Sequence, residues 1–492
     1  MGIRAPLLKD LLHIAHPLGR IVMAFTFAYA APGVLAAWLG EPCVTAFGAG
    51  AAANLGLGGL LYGLGRIYRR ELRARDGYLL VALVWIVLAA SAALPLWLAL
   101  PQLSWTDAYF ETTSALTTSG ATVLGGLDTL PRSLNLWRAE LQWLGGMGVI
   151  ALAMAVLPLL GVGGMQLYRS AAAGPIRDSR MAPRLRQTIR SIWPVYIGLT
   201  VLCMLALKLA GMSWFDALCH AFSTLSLGGF STHDASVGYF HSPAIEAVIG
   251  VFMLIAALNF ATHFAALRAG SLRPYRLDPE AATCLKLIVG SGIAVAIYLW
   301  LTGSYATPLQ ALRYGLFNVV SLATSCGLVS TDFNVWPLAA PLWMLLLSCI
   351  SPSIGSTGGG IKMVRTLILF RQSGRELRLL MHPSAMQALK VGGRVIPDEV
   401  VSSVLGFIHL YTLSIVSLTF AMILSGADFL TAFSAIIATI NNAGPGLHGV
   451  GPHHSFVGLT DLQTWLCTVS MLLGRLEIFV LVVPFTRAYW RD

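Results

Sequence analysis

The chain has 492 residues, 56% of them hydrophobic and 11% charged, with a mean hydropathy of +0.73. A soluble domain carries roughly 25% charged residues, so this composition excludes a soluble enzyme and predicts a polytopic membrane protein. The formal net charge of +10 raises nucleic acid as a partner, but its distribution along the chain points to the membrane and to no nucleic acid.

Residues 1–20 carry Arg4, Lys9 and Arg20 but no small-residue cleavage site after a short apolar run, so no detachable signal peptide is predicted. Ten spans are then expected, at 21–39, 47–64, 78–100, 137–160, 192–210, 244–264, 287–301, 341–370 (interrupted), 404–424 and 465–485. Basic clusters lie between them. They are Arg66, Arg69, Arg70, Arg73 and Arg75, then Arg169, Arg177, Arg180, Arg184, Arg186 and Arg190. Arg268, Arg273, Arg276 and Lys286 follow, then Arg371, Arg375, Arg378, Lys390 and Arg394. With Arg487, Arg491 and the first three, these are 25 of the 32 basic residues. Ten spans put all of them on one side, which the positive-inside rule makes cytoplasmic, with both termini. The opposite loops carry Glu41, Asp107, Asp128, Asp234, Asp332, Asp428 and Asp461. Seven cysteines, scattered singly, offer neither a metal-ligand spacing nor a disulfide framework.

Four short stretches remain, each closing an apolar segment too short to span. They are Thr117-Thr118-Ser119-Gly120, Ser226-Leu227-Gly228-Gly229, Thr324-Ser325-Cys326-Gly327 and Asn441-Asn442-Ala443-Gly444, with glycines 109, 98 and 117 residues apart. The near-constant period predicts one unit used four times. Trp105-Thr106-Asp107-Ala108 aligns with Trp214-Phe215-Asp216-Ala217, and Ser114 with Ser223. Phe317, Ser321 and Gly327 keep the offsets of Phe110, Ser114 and Gly120; the fourth copy is more divergent. The charge count holds only if these segments enter and leave on the outer side as re-entrant loops. Each unit then reads span, re-entrant helix, glycine loop, span. Short helices that aim their partially negative C-terminal ends at one point favour a cation there. Backbone carbonyls, with side-chain oxygens of Thr117, Ser226, Thr324, Asn441 and Asn442, suit a dehydrated alkali ion. The competing reading is small-residue helix packing, which four copies at one period make harder to sustain.

The eighth span is broken by Ser351-Pro352-Ser353-Ile354-Gly355-Ser356-Thr357-Gly358-Gly359-Gly360, with Lys362 and Arg365 close behind. We expect a movable barrier here; the alternative is that both cations snorkel to headgroups. The stretch lacks the spacing of a phosphate-binding P-loop. Arg475 and Glu477 lie inside the last span and are expected to have different partners. Arg138 and Glu140 are expected at the interface and Lys208 near the outer surface. Glu111 and His220 are expected in packing or mouth roles, with proton relay as the alternative, and Asp234 and Asp332 are expected to draw cations to the mouth or to be simply solvated.

Gly355-Ser356-Thr357-Gly358-Gly359-Gly360-Ile361-Lys362, Asn441-Asn442-Ala443-Gly444-Pro445-Gly446, Gly228-Gly229-Phe230-Ser231-Thr232-His233 and Gly474-Arg475-Leu476-Glu477 resemble the Trk/Ktr/HKT superfamily of potassium transporters, nearest its TrkH/TrkG branch. The resemblance covers essentially the whole chain. It implies potassium uptake through a pseudo-fourfold pore, a gate at Gly355, Ser356, Thr357, Gly358, Gly359, Gly360, Lys362 and Arg365, a homodimer, and a cytosolic nucleotide-binding ring resembling TrkA. Sodium-admitting members often carry serine where this chain has Gly120. Leu227 and Cys326 depart from the pattern, which leaves side-chain participation open there.

The expected fold is thus an all-α polytopic membrane protein. Four span–re-entrant pore loop–span repeats surround a pseudo-fourfold pore, preceded by two extra transmembrane helices. The expected boundaries are 1–76 for the N-terminal pair, then 77–190, 191–276, 277–395 and 396–492 for the repeats. The expected setting is the bacterial inner membrane, with no enzymatic activity and no cofactor, potassium being the transported ion. A sodium-dependent Ktr-type subunit and a secondary transporter of an organic solute are the rival readings. The two extra spans and the Asn-Asn-Ala-Gly loop weigh against the first. The same-sense repeat and the single clearly broken span weigh against the second.

Overall fold

The structure is a computed structural model and describes residues 4–68, 73–152, 181–385 and 387–490. Arg69, Arg70, Arg169, Arg177, Arg180, Arg491 and the end of the span expected at 137–160 lie outside them. The described chain is almost wholly helical.

Helix α1 (Arg4–Phe25) runs through a 3-10 turn into α2 (Ala30–Leu39), and α3 (Val44–Arg66) returns alongside α1. α4 (Ala74–Ala99) packs on both. Asn54, buried on α3, ties these helices. Its Nδ2 donates to Val22 O and Thr26 Oγ1, both at 2.7 Å, and its Oδ1 accepts from Ser91 Oγ at 2.6 Å. A polar side chain in apolar surroundings is kept there by such pairing.

The chain continues through α5 (Trp105–Leu116), α6 (Arg132–Ala151), α7 (Met181–Leu209) and α8 (Trp214–Ser226). Next come α9 (Pro243–Ala256), α10 (Phe260–Ala269), α11 (Arg273–Leu277), α12 (Pro279–Leu301) and α13 (Pro308–Ala323). α14 (Ala339–Ile350) and α15 (Met363–Met381) flank the broken stretch, and a two-residue hairpin, β1 (Lys390–Val391) with β2 (Arg394–Val395), follows. α16 (Asp398–Leu424), α17 (Phe429–Ile440), α18 (Asp461–Arg475) and α19 (Phe479–Val482) complete it.

Among the described residues, six helices are long and apolar enough to cross a bilayer: Leu12–Leu39, Val44–Arg66, Arg75–Ala99, Ile192–Leu209, Pro279–Leu301 and Asp398–Leu424. Two further expected spans exist but are bent. α9 and α10 meet at 94°, and α18 meets the helices after it at 111°. The expectation of one broken span is therefore corrected. The remaining two of the ten expected spans are α6 and the α14–α15 pair.

The bends have identifiable chemistry. Phe260 N–H donates to Gly355 O (3.1 Å), and Ala257 O accepts from Ser353 N–H (3.0 Å). The backbone groups freed between α9 and α10 are thus satisfied by the Gly-rich stretch, the compensation a break inside a membrane requires. After α18, Glu477 and Ile478 hold φ of 56° and 52°, strained values for side-chain-bearing residues.

Candidate functional site

Four short helices, α5, α8, α13 and α17, start and stop by the same local devices. Ser104, Ser213, Thr307 and Asp428 each cap the first turn by accepting a backbone N–H, from Asp107, Asp216, Gln310 and Thr431. Such a cap contributes about 1 kcal/mol. At the other end the second residue of each predicted loop turns left-handed: Thr118 (φ 53°), Leu227 (53°), Ser325 (60°) and Asn442 (52°). The third residue then donates to the carbonyl five residues back. The pairs are Ser119 to Ser114, Gly228 to Ser223 and Ala443 to Ala438 at 2.8 Å, and Cys326 to Ser321 at 2.9 Å. This closure ends a helix abruptly, and it falls at the same loop position in all four units.

The loops lie in one ring. Gly120, Gly229, Gly327 and Gly444 have φ of 77°, 84°, 84° and 84°, where only glycine is at ease. A methyl group on Gly120 would collide with Gly228 O, and one on Gly229 with Cys326 O. On Gly327 it would meet Ala443 O at 2.5 Å, and on Gly444 Ser119 O at 3.0 Å. Each glycine therefore abuts the third residue of the next loop, and the fourth closes on the first. All four line a single recess together with Arg138, His233, Asp234 and His454.

The side-chain oxygens divide. Thr117, Ser226 and Thr324 hydroxyls donate back to their own helices, and Asn441 Oδ1 accepts from Tyr411 OH at 2.7 Å. Thr118 Oγ1 and Asn442 Oδ1 are buried with no hydrogen-bond partner among the described residues. The feature common to all four loops is the backbone.

The stretch from Ser351 to Lys362 lies against the C-terminal ends of these helices. Gly359 N–H donates to Ser325 Oγ (2.8 Å), and Thr357 Oγ1 to Leu225 O (3.1 Å). A methyl group on Gly359 would collide with Asn441 O. Arg475 Nη1 donates to Thr357 O at 2.9 Å, and Lys362 Nζ to Gly358 O. Ile354 N–H donates to Glu280 Oε2 at 2.9 Å. Arg365, fully buried, pairs with Glu477 and lies 4.1 Å from the Phe407 ring centre. Lys362 and Arg365 thus hold inward contacts, which overturns headgroup snorkelling. Arg475 and Glu477 have separate partners, as their spacing predicts.

The family model TrkH, described as a cation transport protein, matches residues 45–491. The chain belongs to the TrkH family. It is 45% identical over 475 residues to the Trk system potassium uptake protein TrkH of Halomonas elongata, covering 96% of this chain and 98% of that one. With TrkG of Escherichia coli K12 it shares 38% over 480 residues, 97% and 98% of the two chains. The crystal structure of the potassium transporter TrkH from Vibrio parahaemolyticus superposes with a TM-score of 0.90 at 41% identity, over 98% of this chain and all of that one. The fold is thus that of a helical polytopic membrane protein of the TrkH type.

Within this TrkH-family frame, the structure gives several residues definite partners. Glu111, His220 and Asn318 each stand nine residues before their loop glycine. Each clasps the segment just after it. Glu111 accepts from Thr122 Oγ1 (2.9 Å) and Val123 N–H (3.0 Å), and His220 Nε2 pairs with Ser231 Oγ (3.0 Å). Asn318 Nδ2 donates to Ser330 Oγ (2.9 Å). In the fourth unit Ser434 Oγ accepts from Leu447 N–H at 2.9 Å. The shared offset was a readable signal. Arg138, expected at the interface, is instead buried. Its Nε donates to Glu111 at 2.8 Å, its Nη1 contacts Ser231 O at 3.4 Å, and its guanidinium lies 4.2 Å from the Phe230 ring centre. Gln142, not singled out by the sequence, is fully buried beside Gly228.

At the recess, His233 stacks on Tyr239 with centroids 3.6 Å apart, between Asp128 and Asp216. The hydrogen bond from His233 holds the exposed Asp128 carboxyl below its usual range, against a smaller opposing effect of burial. Asp234 lines the recess and accepts from Leu127 N–H at 3.1 Å. Asp332 instead caps the 3-10 turn Phe333–Val335. Lys208 Nζ donates to Met212 O at 3.2 Å. All seven cysteines are free and buried.

Proposed function

We propose that this chain is the membrane subunit of a potassium uptake system, a gated channel-like pore in the bacterial inner membrane. The observation that carries the reading is the closed ring in which each loop glycine abuts the third residue of the next loop. Residues 117–120, 226–229, 324–327 and 441–444 are its selectivity filter. Their carbonyls replace the water of a potassium ion, and the recess is its outer mouth. Four span–re-entrant helix–span repeats, at 77–190, 191–276, 277–395 and 396–492, surround the pore, and residues 1–76 stand beside it with both termini cytoplasmic.

Gly355, Ser356, Thr357, Gly358, Gly359, Gly360, Lys362 and Arg365 form the gate. The loop stands under the filter, tied by Arg475, Ser325 and Glu280, and its displacement opens the path. No nucleotide-binding loop is recognised in the sequence, so nucleotide control resides in a cytosolic ring resembling TrkA. Basic segments carrying Arg375, Arg378 and Arg394 dock it, and the subunit works as a homodimer. The names of the relatives, potassium uptake proteins of the Trk system, support the ion and the direction of transport.

The test is ion flux from purified protein in liposomes, with and without the nucleotide-binding partner. Potassium flux that exceeds sodium flux, with Gly120→Ser admitting more sodium, is the expected result. Unchanged permeability ratios in well-folded Gly120→Ser, Gly229→Ser, Gly327→Ser and Gly444→Ser overturn the filter assignment.

A further inference from the structure

The four loops are not held alike. Gln142 sits on α6 one turn after Arg138 and is fully buried. Its Nε2 donates to Gly228 O at 2.5 Å, and its Oε1 accepts from Phe230 N–H at 3.2 Å. One amide therefore brackets Gly229 from both sides. The matching third-position carbonyls are those of Ser119, Cys326 and Ala443. Among the described residues no hydrogen bond to any of these three is found. Gly228 O also faces Gly120, where a methyl group would strike it. It is thus wedged between a donor and the neighbouring loop.

We propose that Gln142 is a positioning residue for ion selectivity, fixing the direction of one ring carbonyl so that the second loop cannot close on a smaller cation. This rests on the filter reading above. A carbonyl oxygen has two lone pairs. The Gln142 N–H engages one and leaves the other for the ion. In a dry interior such a bond is stronger than in water, so it resists the inward movement that sodium coordination demands. The bond to Phe230 N–H anchors the same amide, so it cannot swing away with the carbonyl. The second loop carries Leu227 where its counterparts carry Thr118, Ser325 and Asn442, and its third residue, Gly228, has no side chain at all. It has the least side-chain support of its own, and α6 supplies what is missing.

The experiment measures potassium-to-sodium permeability ratios of the full chain in liposomes. Gln142→Leu is expected to lower the ratio roughly fivefold, the effect of losing one buried hydrogen bond. Gln142→Glu keeps the shape. Its neutral carboxyl still donates and accepts, while its carboxylate only accepts. Its ratio should approach that of the unsubstituted protein at low pH and fall as the carboxyl ionises. A merely structural role would lower yield or thermal stability and leave the ratio independent of pH. Gly327→Ser, on a loop Gln142 does not touch, separates the two readings. If it changes the ratio while both folded Gln142 variants keep the native value at every pH, the positioning role is wrong and the filter stands. If none of the three changes it, the filter reading falls as well.

Discussion

The ring of glycine loops and the broken stretch beneath it are both short, polar and glycine-rich, yet they are held in opposite ways. Each ring loop is closed mainly by its own repeat unit: an N-cap, a left-handed turn, a bond to the carbonyl five residues back, and a clasp nine residues before the glycine in the first three units and ten in the fourth. The stretch between α14 and α15 is held largely by remote groups, including Ala257, Glu280, Leu225, Ser325 and Arg475. A segment secured locally keeps its shape when neighbours move. A segment secured by others is released when they move. That difference supports the proposed reading of a fixed filter above a movable gate.

The comparison can be broken most forcefully at the clasp of the first loop. Glu111→Ala leaves Arg138 buried without its anion, and removing one partner of a buried pair costs about 3–5 kcal/mol. Thermal or denaturant unfolding in detergent should register it. Glu111→Ala combined with Arg138→Ala should cost less than the sum of the two single changes. An exactly additive pair would mean that the two residues do not act together. Deleting 353–359 attacks the other region. Partner-free potassium flux, normalised to folded protein, should rise about tenfold or more, a shift of at least ~1.4 kcal/mol in the gating equilibrium, with potassium preference kept. Loss of flux in correctly assembled protein would make the stretch part of the pore wall.

Ser325→Ala cuts the direct tie between the regions, the bond from Gly359 N–H. About 1 kcal/mol is at stake, so basal flux should rise roughly fivefold, and an unchanged closed state would show that the other contacts suffice. The smallest effect belongs to Arg375. Its contact with the exposed Asp398 at 2.9 Å is a surface pair worth about 0–1 kcal/mol. Arg375→Ala should barely move the unfolding temperature while weakening copurification of a nucleotide-binding partner. Full retention of the complex would point to anionic headgroups as the arginine's contact.

Much of this was legible in the residues themselves, because local backbone preferences carry it. Thr117–Gly120 and its three counterparts read as loops from their composition and period. The stretch at 351–360 read as a break because one proline and four glycines cannot sustain a helix. Glu111 and His220 read as packing or mouth groups, and the structure gives both of them bonds to the segments that follow the loops. The bend at 257–259 was not legible. Ala257-Leu258-Asn259 has no glycine or proline, and the chain turns there because Ser353 and Gly355 satisfy its freed backbone groups.

Alone, the sequence determined the membrane class, most of the expected spans, the four glycine loops and the broken helix. Each depends on composition, on neighbours within a few residues or on a repeat along the chain, where propensity, hydropathy and period can be read directly. Tertiary structure decided that the loops close into one ring, that Arg138 turns inward to Glu111, that Gln142 brackets Gly229, and that Arg365 finds Glu477 112 residues away. A buried charge or amide takes whichever partner folding brings within hydrogen-bond reach, because leaving it unpaired in a dry interior is costly. That partner is a property of the packed molecule, and no local pattern in the chain encodes it.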